Sequence, residues 1–162
     1  MNPRTKRTLT IAVVVVLLAA LVWYLYPRSF TQAMGENFDW EEVQQIQVYL
    51  VSTDFANGET REVFLYPDDP AYDELRTLLD SQKYKPPVGE VHGQAMQLEY
   101  YAYFTFSAQK EDGWFGWTLV IPGARNIQFL LGDGRFFSPS GGLDFQQDVI
   151  DLLLAQPHTG NR

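Results

Sequence analysis

The chain of 162 residues is 46% hydrophobic and 15% aromatic, which supplies a core for one compact domain and argues against wholesale disorder. Its net charge of −8 is uneven: residues 1–28 hold four bases and no acid, leaving eight bases against all 20 acids, a net of −12, in the remainder. So acidic a remainder repels phosphate backbones and argues against a nucleic-acid partner. The absence of cysteine excludes disulfides, thiol nucleophiles, thiolate metal sites and a lipid-bearing N-terminal cysteine.

Taken in chain order, the first feature is an uncharged stretch from Leu9 to Tyr26. As a helix it would rise about 27 Å, close to the ~30 Å of a bilayer's hydrocarbon core. Trp23, Tyr24 and Tyr26 gather at one end of it, Pro27 ends it, and Arg4, Lys6 and Arg7 precede it. That pattern predicts a single-pass span, a signal-anchor rather than a cleaved signal, with its N-terminus in the cytoplasm and the rest of the chain extracytoplasmic. The expected division is a basic head at 1–8, a transmembrane helix at 9–26, a tether at 27–39 carrying Gly35 and Asn37, an α+β domain at 40–157 and a polar tail at 158–162.

Within the domain, Ile46, Val48 and Leu50 alternate with polar residues as in a half-buried strand. Asn57-Gly58 turns the chain into a second strand at 62–66, and the two should pair as a hairpin. Pro67-Asp68-Asp69-Pro70 opens a helix with an acidic cap and an early proline, and Tyr72, Leu75, Leu78 and Leu79 recur at helical spacing toward Gln82. A loop follows from Lys85 to Gly93. From Gln97 to Ser107 the alternation places Leu98, Tyr100, Ala102, Phe104 and Phe106 on one face and Glu99, Tyr101, Tyr103 and Thr105 on the other. Asp112-Gly113, Pro122-Gly123 and Asp133-Gly134 mark turns between further strands at 114–121, 127–131 and 135–137. After a breaker at 138–142, Asp144 can cap a last helix with Phe145, Val149, Leu152 and Leu153 on one stripe. The order ββ-α-ββββ-α predicts an α+β fold, an antiparallel meander with two helices on one face.

Candidate chemistry is sparse. Asp68 and Asp69 fit helix capping, and Glu111, Asp112 and Asp133 fit turns. Glu99, set among Tyr101, Tyr103 and Thr105, is the acidic residue a carboxylate-dependent hydrolase of envelope glycans would use, given a second acid across a cleft. His92 and His158 stand apart and form no zinc motif, no G-x-S-x-G elbow occurs, and Gly132-Asp133-Gly134 lacks the spacing of a phosphate loop. No metal site, cofactor or catalytic set is therefore expected. The aromatic residues are the unusual feature. Tyr101, Tyr103 and Trp114 fall on the face opposite the core and form a candidate binding patch for a protein or cell-envelope component.

The segment Leu75-Arg76-Thr77-Leu78-Leu79 and the ending Asp151-Leu152-Leu153-Leu154 complete a layout of hairpin, helix, meander and short last helix. This layout resembles the small membrane-anchored or lipoprotein α+β domains of unknown function in Gram-positive bacteria, although the chain lacks the lipoprotein cysteine. The resemblance implies an architecture and transfers no functional residue. The leading expectation is a membrane-anchored binding or accessory module; the alternatives are the glycan hydrolase and a bitopic subunit that contacts its complex through the span.

Overall fold

A computed structural model describes residues 3–35, 37–54, 56, 58–87, 95–110, 113–130 and 135–157, without the side chains of 3–6, 23, 110, 129 and 130. The fold is α+β, as the patterning predicts. Among the described residues, four helices, α1 (Pro3–Leu25), α2 (Phe30–Met34), α3 (Pro70–Ser81) and α4 (Gly142–Leu154), accompany seven strands. The strands are β1 (Val43–Ser52), β2 (Thr60–Leu65), β3 (Tyr84–Lys85), β4 (Tyr100–Lys110), β5 (Gly113–Ile121), β6 (Ile127–Leu130) and β7 (Arg135–Pro139). They form one antiparallel sheet in the order β2-β1-β4-β5-β6-β7-β3.

Two departures from the expected order have local causes. Only β4 to β7 form a simple meander; β4 lies beside β1, so α3 carries the chain across the sheet and β3 closes the far edge. β3 is two residues long and is stopped by Pro86, too short to show any period in the sequence. The stretch 138–142, read as a breaker, continues β7 through Ser138 and Pro139, which pair with Lys85 and Tyr84.

The core lies on one face of the sheet. Ile46, Val48, Leu50, Ala102, Phe104, Phe106, Leu119 and Ile121 are fully buried there, under Leu75 and Leu79 of α3 and Phe145, Val149 and Leu153 of α4. α3 begins as the Pro-Asp-Asp-Pro signal demands, with Pro70 in its first turn, although Asp69 accepts the Tyr66 N–H (2.9 Å) and makes no side-chain cap to the helix. α4 starts earlier than expected: Gly141 occupies the cap position and Asp144 sits in the first turn. A glycine is required at 123, where φ is +66° and a Cβ would lie 3.0 Å from Leu98 Cβ and 3.2 Å from the Tyr100 carbonyl oxygen.

The segment read as a tether is part of the domain. The Arg28 N–H and carbonyl exchange hydrogen bonds with Tyr84 (both 2.9 Å), which extends the β3 edge by one residue. Ser29 and Gln32 then form a reciprocal capping box at the start of α2. Phe30, Phe38 and Trp40 enter the core as an aromatic cluster: Phe30 stacks on Trp40 at 5.2 Å, and Phe38 meets Trp117 edge-on at 5.1 Å. Gly35 and Asn37 gave the segment a linker's look, while its three large rings determine its placement.

The expected membrane span does not stand. Among the described residues, no helix is long and apolar enough to cross a membrane. The described side chains of α1, Arg7 to Val22 with Tyr24 and Leu25, are all exposed. The transmembrane and signal-anchor readings, the single-pass cell-membrane localisation and the membrane contact fall with it.

Candidate functional site

Alternation along the strands gives the sheet a second, outer face. Glu62 on β2, Tyr49 on β1, Tyr103 on β4, Val120 on β5 and Gln128 on β6 are successive cross-strand partners, one continuous rung across five strands. The neighbouring rung on one side carries Phe64, Gln47, Thr105 and Thr118; on the other side it carries Thr60, Val51 and Tyr101. Strands spaced ~4.8 Å apart make the central rung about 19 Å wide. Tyr49 and Tyr103 are directly opposed and are 36% and 37% exposed, while Tyr101, Phe64, Val51 and Val120 are half-buried.

A polar triad fixes part of this surface. Gln47 Nε2 donates to Glu62 Oε1 (2.6 Å) and to the Tyr49 hydroxyl oxygen (2.7 Å). The hydrogen bond and charge of Glu62 push the Tyr49 phenol above its ordinary value, because an anionic neighbour disfavours phenolate. The Tyr49 hydroxyl is thus tied to Gln47 and Glu62 at the β2 edge.

The structure separates the expected site residues. Tyr101 and Tyr103 share the outer face as the alternation predicts, with Tyr103 adjoining Tyr49. Trp114 is also on that face and is 66% exposed, but it pairs with Gln109, six residues along β4 from Tyr103. At about 3.4 Å per residue that is roughly 20 Å away. Ser107 and Gly116 lie between them, so Trp114 is a separate aromatic tip. Glu99 is exposed at the lead-in to β4, which begins at Tyr100, and its carbonyl oxygen accepts from the Thr53 N–H (2.8 Å). It is thus held by its backbone at a strand end and not mid-strand. Tyr49, Gln47, Glu62 and Phe64 are the members that sequence reading missed; alternation puts them on the outer face, but only the β1–β4 pairing brings them to the tyrosines.

Other polar groupings are structural. Asp80 accepts from Trp40 Nε1 (3.2 Å), Arg76 pairs with Glu41 (3.2 Å) and its guanidinium lies 5.7 Å from the Trp40 ring, which together fasten α3 to the 3₁₀ turn Trp40–Glu42. Tyr72, whose hydroxyl donates to the Trp40 carbonyl (3.3 Å), has its phenol pushed up to about 12 by burial. Burial also pushes the Tyr84 phenol up, and its hydroxyl donates to the Leu79 carbonyl (2.7 Å). Among the described residues, no group of three or more histidines or carboxylates could hold a metal ion. His92, His158, Glu111, Asp112, Gly132, Asp133, Gly134 and Asn57 lie outside the described residues. No protein-family model, no curated protein and no solved structure matches the chain.

Proposed function

We propose that this domain is a binding or accessory module that engages a protein partner through the outer face of its sheet. The observation that carries the reading is the opposed pair Tyr49–Tyr103, flanked by Tyr101, Val51, Phe64 and Val120 and left uncovered by any described helix. Half-exposed tyrosines suit recognition because a ring offers a large contact area at the cost of only two rotatable bonds. Their hydroxyls add directional hydrogen bonding at the same site. The rung's width of about 19 Å is ample for an extended chain or a helix to lie along it.

The test compares wild-type protein with the Tyr101→Ala/Tyr103→Ala double variant by chemical crosslinking in extracts of the source cells. The reading expects one discrete crosslinked species, strongly reduced in the double variant while its circular dichroism and unfolding midpoint stay near wild type. An undiminished species would contradict it.

A further inference from the structure

The charge pattern around this face points to the chemistry of its partner. On the outer face of β2, β1, β4 and β5, the described side chains are neutral apart from Glu62. Arg61, the base of the edge strand, is turned to the opposite side, where its guanidinium donates to the Leu154 carbonyl at the end of α4 (3.1 Å). Lys85, which shares the outer face, sits at the β3 edge, four strand spacings or about 19 Å from β4.

Beyond the Val51–Tyr101 rung, the outer face ends at two exposed acids, Glu99 and Asp54. The Thr53 N–H bonds to the Glu99 carbonyl (2.8 Å), which carries the outer-face phase of Tyr101 on to Glu99, and Asp54 follows directly. The tyrosine face thus has Glu62 on its edge strand and Asp54 and Glu99 at one end, in a remainder of the chain whose net charge is −12.

We propose that this face binds a cationic polypeptide segment, with arginine or lysine side chains laid over the Tyr49 and Tyr103 rings and their charged ends directed to Glu62 and the acidic rim. The inference rests on the outer face being the binding face. Two features of one surface select the same ligand. The face of an aromatic ring attracts a cation within ~6 Å of its centroid. Carboxylates at the rim speed encounter and pair with guanidinium or ammonium groups. An acidic segment meets repulsion at the same rim, and a purely apolar one would leave the Gln47–Glu62 pair covered and partly desolvated.

The test is isothermal titration of the full chain with an arginine–serine repeat peptide, beside glutamine–serine and glutamate–serine peptides of equal length. The arginine peptide should bind, weaken as salt is raised, and lose roughly two- to fivefold in affinity for each of Tyr49→Leu and Tyr103→Leu. Tyr103→Phe, which keeps the ring, should retain binding, and Glu62→Gln should weaken it while circular dichroism shows an unchanged fold. Tyrosine-dependent binding of the glutamine peptide at equal strength would overturn the cationic partner and leave the face intact. Arginine-peptide binding indifferent to Tyr49 and Tyr103 would overturn both the inference and the face. Absence of arginine-peptide binding at low salt, or a dimer of the chain abolished by Glu62→Gln, would overturn the inference as well.

Discussion

The two faces of β4 are built from one run of residues and behave as opposites. Ala102, Phe104, Phe106 and Ala108 are fully buried beneath the helices, with Phe104 and Phe106 stacked at 6.1 Å. Tyr101, Tyr103, Thr105 and Ser107, one step out of phase, form the open side. The inner residues hold the fold, since each fully buried large side chain contributes about 1.5–3 kcal/mol over its exposed state. Tyrosine, threonine and valine favour pleated backbone, so the outer residues support the sheet while keeping their rings accessible. That contrast assigns stability to one side, and the proposed function places recognition on the other.

The sharpest way to break the contrast is to truncate one residue of the inner set. Phe104→Ala leaves a cavity at a site with no exposed atom and should cost about 3–5 kcal/mol, read as a large fall in the urea midpoint. Retention of the wild-type midpoint would show that the inner face does not carry the fold. Phe30→Ala should come close to this, at about 3 kcal/mol, because its ring is fully buried among Trp40, Phe38, Tyr84 and Phe106. A negligible cost there would return residues 28–38 to the role of a tether.

A smaller effect is expected in alkali. Tyr72 has an ordinary value of 10.0 and is raised to about 12 in the folded protein. Below the unfolded value both states keep the proton and stability does not depend on it. Above it the unfolded chain ionises first, so stability should fall between about pH 10 and about pH 12. Tyr72→Phe should flatten part of that fall, and an unchanged slope would contradict the buried environment of this hydroxyl. The smallest effect belongs to the outer face: Tyr101→Ala and Tyr103→Ala should each cost about 1 kcal/mol or less, since a half-exposed ring loses little burial and some cross-strand contact. A cost equal to that of Phe104→Ala would erase the distinction between the faces.

Much of this fold was legible in the sequence because its strands are amphipathic. The period-two run through Leu98, Tyr100, Ala102, Phe104 and Phe106 assigned the faces of β4, and the stripes of α3 and α4 announced their buried sides. Short and long-range features were not legible. α2 has five residues and β3 has two, below the length at which a period can be seen. Phe30, Phe38 and Trp40 carry no local signal of the Phe106 and Trp117 rings they meet across the chain. The candidate site was legible by half for the same reason. Alternation isolated Tyr101 and Tyr103, but their neighbours Tyr49 and Glu62 depend on the order β2-β1-β4, which a local reading cannot supply. The span was misjudged from apolar composition, and the distance of Trp114 from the tyrosines from ignoring register.

The division between the faces is tested most directly by mapping tyrosine reactivity in the native protein. Brief treatment with a nitrating reagent, followed by peptide mass spectrometry, should modify Tyr49 and Tyr103 while Tyr72 and Tyr84, 3% and 0% exposed, remain unmodified until the chain is unfolded. Protection of Tyr49 and Tyr103, or early modification of Tyr84, would contradict the account.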